Sequence, residues 1–211
     1  NLVPPRESQV EPFLEMIEKV WVDTYTAEVG QQTLRSYIPK QILLVGSASY
    51  NDDGSTTEGT AEGGRQIVLY SVNDFNFTLE QIQSYAHVMH HEFAHILHQN
   101  VEYDAEFEKI TPSYSSSWMQ MNDETARTKG FITAYASSSA DEDFAEMVSI
   151  MLTNSPEDWD NMIESAGNTT AVEALRKKEA IVVAYMKNNW GVDMKDFQKE
   201  VVAAIEAAVR N

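Results

Sequence analysis

The chain has 211 residues, is 43% hydrophobic, lacks cysteine and carries a formal net charge of −18. That length suits one domain with a sizeable core. The acidity weighs against phosphate-backbone binding and against docking on anionic lipid through a polybasic segment, and it reads as solubility rather than as a filter for substrates. The absence of cysteine excludes disulfides, thiolate zinc ligands and thiol catalysis, and suits a bacterial cytosolic or cell-envelope protein. No apolar run reaches the roughly 18 residues of a membrane span. The chain starts at Asn1 rather than Met, so an upstream leader is expected to have been removed.

Residues 1–7, with Pro4-Pro5, read as a loose arm. Ser8 and Glu11 form a capping-box pattern, and Phe13, Leu14, Ile17, Val20 and Trp21 make an apolar stripe, predicting a helix over 9–24. A short helix over 28–38 should end before Pro39. Residues 41–49, with Ile42, Leu43, Leu44 and Val45, predict a buried strand. Residues 51–64 are polar and Gly-rich and predict a loop whose spacing is not that of an EF-hand. Residues 65–72 predict a second strand, placed to pair with an extended peptide.

Residues 81–100 hold all five histidines: His87, His90, His91, His95 and His98. Ile82, Tyr85, Met89, Phe93, Ile96 and Leu97 recur at helical spacing, and Thr78 with Gln81 gives a capping box. Within this helix His91-Glu92-Phe93-Ala94-His95 is an HExxH. Residues four apart share a helix face about 6 Å apart along the axis, so two imidazoles converge on one small cation. Glu92 lies about 100° round from His91, where a carboxylate takes a proton from a metal-bound water. His87 and His98 share the stripe of His91 and His95 and are rival ligands, but they sit further along the axis, which favours a cleft wall or solvent. His90 points to another face and is expected to be solvated or hydrogen-bonded to a neighbour.

Residues 101–117 read as loop with a short strand at 107–110. A helix over 122–129 stops at Gly130, an extended run covers 131–136, and a further helix spans 141–152. Ser155-Pro156 opens the next helix, Thr170 with Glu173 caps another, and Asp193 starts the last. These C-terminal helices show packing stripes alone. There is no repeat or domain linker, so 1–211 reads as one domain.

Two histidines do not complete a zinc site, which usually takes three protein ligands and water. Without cysteine, an oxygen ligand is expected. Glu142 and Glu146 lie four apart on one helix face. One can bind the metal while the other accepts the outer N–H of a ligating histidine. Spacing does not say which does which, and Ser139 with Glu142 also makes an ordinary capping box.

HExxH followed by Glu-x-x-x-Asp/Glu on a later helix is the gluzincin pattern. The stretches 90–99 (HHEFAHILHQ), 130–136 (GFITAYA) and 142–146 (EDFAE) resemble the zinc-binding metallopeptidase lipoproteins of Bacteroidetes, described as substrate-import-associated zinc metallohydrolases. The similarity extends to Pro39-Lys40 and Gly46-Ser47. A more distant likeness is to lethal-factor-type gluzincins, whose Tyr, Glu and second acid have the spacing of Tyr135, Glu142 and Glu146. Asp143 departs from that group, which has an aromatic residue there, and this is expected to affect the helix surface more than the ligands. The resemblance implies that Glu142 is the third metal ligand, that Glu146 supports a ligating histidine, and that Tyr135 hydrogen-bonds the oxyanion or leaving group. It also implies a lipid anchor upstream, an outer-membrane or surface address in the bacterial cell envelope, and partnership with nutrient-import machinery.

The expected protein is a one-zinc metallopeptidase acting on peptide or protein substrates, with Glu92 and Tyr135 catalytic and His91, His95 and Glu142 on the metal. Two other readings keep the same site: a zinc metallohydrolase of other amides or esters, and a non-catalytic binding lipoprotein. The intact Glu92 argues against the second, since a pure binder needs no base. The expected fold is α+β and zincin-like, with a small mixed or antiparallel sheet beside the active-site helix and a largely helical C-terminal half.

Overall fold

Phe13, Met16, Ile17, Val20 and Trp21 form one buried stripe. The chain carrying them is helical over Glu7–Ile17 (α1) and Thr24–Val29 (α2), but the join Glu18–Asp23 is a π-helical turn. Such a turn widens the backbone and redirects its carbonyls. The Val20 carbonyl accepts from Thr24 Oγ1 at 3.3 Å and lies 3.2 Å from His90 Nε2. The structure, a computed structural model, describes residues 2–51, 56–57, 59–62 and 66–210. They cluster into two compact units, Asn1–Ile96 with Ala203–Asn211, and Leu97–Val202.

In the first unit the expected loose arm is laid down: Val3 O accepts from Gly46 N at 2.8 Å, and Arg6 N donates to Asn73 Oδ1 at 2.7 Å. Helix α1 starts at Glu7 with no side-chain cap, so Ser8 lies inside the helix and the expected box does not form. After α3 (Gln31–Tyr37), the chain forms β1 (Gln41–Leu44), β2 (Ser49–Tyr50), β3 (Thr56–Thr57), β4 (Gly59–Glu62) and β5 (Gln66–Leu69). The main sheet has the order β1-β5-β4, with β1 parallel and β4 antiparallel to β5, and β2 pairs antiparallel with β3.

Part of the predicted 51–64 loop is therefore paired strand, while 52–55, 58, 63 and 64 lie outside the described residues. Its polar Thr and Gly residues suit short edge strands, which keep one side in water. The second predicted strand, β5, is central, so both its edges are already taken and it cannot pair with a peptide. Among the described residues, β1 and β4 are the edges of this sheet.

The histidine helix α4 spans Leu79–Asn100. Half of the predicted capping box forms: Gln81 N donates to Thr78 Oγ1 at 3.3 Å, while the Gln81 side chain accepts from Asn76 N at 2.7 Å. Ile82, Tyr85, Ala86, Met89, Phe93 and Ala94 are buried. Phe93 packs edge-on against Trp21 and Tyr25, and Tyr85 against Phe13 and Phe75. A Cβ on Gly59 would stand 2.5 Å from Val88 Cγ1, so glycine is what lets β4 close on α4.

The second unit is helical: α5 (Glu106–Ile110), α6 (Asp123–Arg127), α7 (Ala140–Thr153), α8 (Pro156–Glu164), α9 (Thr169–Trp190) and most of α10 (Met194–Ala208). The predicted strand at 107–110 is instead α5, and the predicted extended run 131–136 passes into a 3-10 turn, Tyr135–Ser138. Helix α9 is capped by Asn168, whose Oδ1 accepts from Ala171 N at 2.9 Å, rather than by Thr170. Gly130 ends the α6 region with φ +85, a conformation that favours glycine. Phe144 centres this core, stacked on Tyr103 at 4.4 Å and meeting Phe107 and Tyr185 edge-on. No helix among the described residues is long and apolar enough to cross a membrane. The architecture is α+β, as the sequence predicts: a small mixed sheet beside α4, and helices thereafter.

Asp143 corrects an expectation. It is fully buried rather than on the helix surface, as is Lys178 of α9. Lys178 Nζ donates to Asp143 Oδ2 at 2.5 Å and to Gly130 O at 2.8 Å, lies 4.3 Å from the Phe131 ring centroid, and Tyr114 donates to the same Asp143 oxygen at 3.0 Å. Burial pushes the Asp143 carboxyl up to about 6 and lowers Lys178, while their mutual attraction opposes both shifts. Lys178 thus sits on the apolar stripe Ala171, Ala174, Leu175, Val182, Tyr185 and Met186 with its charge answered inside the core.

Two outcomes follow for stability. Lys178→Met leaves a buried carboxylate without its cation and should cost about 3–5 kcal/mol in urea unfolding; Asp143→Leu combined with Lys178→Met should recover most of that loss. In the first unit, burial lowers the His90 pKa from 6.5 to about 3. The unfolded chain therefore takes up a proton that the folded chain refuses. Stability from this group is complete above pH 6.5 and falls as pH drops towards 3, by at most about 1.4 kcal/mol per pH unit. Urea midpoints between pH 7 and pH 4 should fall less steeply in His90→Gln than in the parent.

Candidate metal centre

Helix α4 has three differently used faces. Phe93, Met89 and Tyr85 meet the apolar core of the first unit. His90 is fully buried, with its ring 5.4 Å from Tyr25 and Nε2 at the Val20 carbonyl. It is thus hydrogen-bonded to a neighbour and not solvated. A donated hydrogen bond to that carbonyl places the proton on Nε2 of a neutral ring. With both of these faces committed, the remaining strip carries His87, His91 and His95.

His91 and His95 turn towards each other, with Nε2 atoms 3.1 Å apart and ring centroids 4.8 Å apart. Two nitrogens each about 2.0–2.1 Å from a tetrahedral zinc stand about 3.3 Å apart, so this spacing fits a shared ion closely. The same distance also accommodates one proton shared between neutral rings. His91 is buried, and Glu92 and His95 are half-buried. Burial limits solvent screening and strengthens any charge held here. The His87 ring is edge-on to His91 at 5.8 Å. His98, on the last turn of α4, is buried between Tyr103 and Phe144, at 5.5 and 6.0 Å, as an aromatic packing residue.

Helix α7 brings the carboxylates. Ser139 caps it, accepting from Glu142 N at 3.3 Å, and its first turn holds Asp141, Glu142 and Asp143. Negative charge is favoured at a helix N-terminus. Asp141 accepts from Tyr103 at 2.7 Å, and Asp143 points into the core. Glu142 is half-buried, and Glu146 one turn later is buried.

Glu146 Oε2 accepts from Thr133 Oγ1 at 2.6 Å, and that hydroxyl oxygen in turn accepts from Ala136 N at 3.1 Å. These bonds tie α7 to the turn bearing Tyr135. Tyr135 is 37% exposed, although its backbone is held this firmly. Tyr135 is therefore not a fully buried core tyrosine.

Thus the structure brings His91 and His95 together on α4, and joins Glu146 to the Tyr135 turn in the second unit. Sequence reasoning missed Thr133 and the Lys178–Asp143–Tyr114 cluster. The signal for the latter was a lysine in register with an otherwise apolar helical stripe.

Residues 1–195 match the family model described as "Putative zinc-binding metallo-peptidase". No protein of curated function matches. A crystal structure described as a putative zinc-binding metallo-peptidase from Bacteroides caccae is similar with a TM-score of 0.82 and 34% sequence identity, over 93% of this chain and 76% of that one. With a match over nearly its whole length and a solved relative at this identity, the chain belongs to the family so described.

Proposed function

We propose that the protein is a zinc-dependent peptidase in which His91, His95 and Glu142 hold the metal and Glu92 is the general base. The observation that carries this reading is the 3.1 Å approach of the His91 and His95 Nε2 atoms on one helix face. Glu142 is added on the sequence pattern, HExxH followed by Glu-x-x-x-Glu on a later helix. One oxygen of the Glu146 carboxylate accepts from Thr133; the role of its other oxygen, accepting the outer N–H of a ligating histidine, rests on the sequence resemblance.

His91, His95 and Glu142 would hold the zinc, which when bound would supply a Lewis acid able to bring the pKa of water to about 7. Glu92 accepts the proton of the attacking water and delivers it to the departing amine nitrogen. The Tyr135 hydroxyl donates to the carbonyl oxygen as negative charge grows there. Strand β4, an edge of the sheet held against α4 at Gly59, offers backbone groups to an extended chain. That edge favours a peptide over a small amide or ester. The cell-envelope address, the lipid anchor and the link to nutrient import belong to the same proposal and are supported by the sequence resemblance.

Metal analysis and digestion of a peptide library test this reading. Glu92→Gln should keep about one zinc per chain and lose at least about 100-fold in kcat. Glu142→Ala should lose zinc on dialysis. Undiminished hydrolysis by the Glu92 variant would remove the proposed base, and stoichiometric zinc in the Glu142 variant would remove the third ligand.

A further inference from the structure

We propose that Trp118 is a specificity residue, forming with Tyr135 an aromatic wall for a large apolar side chain beside the scissile bond. This rests on the peptidase reading, and on Tyr135 reaching the reacting carbonyl.

The Tyr135–Ser138 turn is fixed through its backbone. Ala134 N donates to Asp123 Oδ1 at 2.8 Å, Ala136 N donates to Thr133 Oγ1, and Ser137 O accepts from Ser115 N at 2.8 Å. The last of these bonds ties the loop leading to Trp118 onto the same turn. Trp118–Gln120 forms its own 3-10 turn, closed by Met121 N donating to Trp118 O at 3.0 Å. The Trp118 ring then stands edge-on to Tyr135, with centroids 4.9 Å apart and planes at 65°.

These rings are not core. Trp21 and Trp159 are at most 2% exposed, whereas Trp118 is half-buried, Tyr135 is 37% exposed and the adjoining Met119 is 61% exposed. Two ordered rings at a surface leave apolar area uncovered, at a cost that a ligand can relieve.

The role proposed for Tyr135 says what would cover them. When the Tyr135 hydroxyl bonds the carbonyl of the reacting peptide, the residues flanking that bond lie within about 3.3–3.8 Å of chain per residue. The side chain of an immediate neighbour then falls on the ring pair. Phe, Tyr, Leu or Met makes edge and stacking contacts there, whereas Gly leaves the wall bare and Asp or Lys gives up water in exchange for apolar surface.

The test uses peptides differing only in Phe, Leu, Gly or Asp beside the cleaved bond. Trp118→Ala should reduce the kcat/KM ratio of Phe to Gly peptides about tenfold, and Trp118→Phe should restore most of it. Binding of the same peptides to Glu92→Gln, with and without Trp118→Ala, gives a readout that needs no turnover. If the peptides bind with Trp118-dependent preference for Phe but are never cleaved, the wall stands and the peptidase reading falls. An unchanged Phe to Gly ratio in Trp118→Ala, an equal loss on every peptide, or no peptide binding by Glu92→Gln would overturn the inference.

Discussion

Two imidazole nitrogens 3.1 Å apart on successive turns of α4 are the constraint from which the rest of the site follows. At that distance the two nitrogens can share one N–H hydrogen bond between neutral rings, or one cation that both lone pairs face. Two imidazolium rings there would repel strongly in a poorly screened setting. What holds the rings in this relation is the way α4 is gripped elsewhere. Phe93 is locked by Trp21 and Tyr25, Tyr85 by Phe13 and Phe75, and His90 by the Val20 carbonyl. The π-helical turn that presents this carbonyl is a local departure from regular helix, and it serves the orientation of α4.

The second helix is fixed by different means. Around α7 the core is aromatic at Phe144 and ionic at Asp143, both buried completely. A buried ion pair adds little net stability over apolar side chains of the same volume, but it penalises any shift of register that would separate the charges. The Asp143–Lys178 contact therefore holds the register of α7 against α9 within the second unit. One turn on, Glu146 uses one carboxylate oxygen to hold Thr133, and so steadies the turn that presents Tyr135.

The sequence made the centre of this arrangement legible because HExxH coincided with a helical apolar period, two independent patterns in the same stretch. The α+β class and most helix positions were legible for the same reason. Features set by tertiary contacts were harder to read. Residues 107–110 carry a strand-like apolar pair, yet become helical because Phe107 is drawn in against Phe144. Strands β3 and β4 are too short and polar to announce themselves, and the central place of β5 depends on partners far along the chain. Asp143 looked like one more surface acid because its cation lies in α9, 35 residues away. Ser8 and Thr170 had the chemistry of caps, but helix starts settled one or two residues from them.

Anomalous diffraction at the zinc absorption edge from crystals of the zinc-loaded protein tests the central claim most directly. The account predicts one strong peak about 2.0–2.1 Å from Nε2 of both His91 and His95, with a carboxylate oxygen of Glu142 at a similar distance. A peak away from the paired imidazoles, or a zinc on them with the residue 142 carboxylate turned elsewhere, would contradict it.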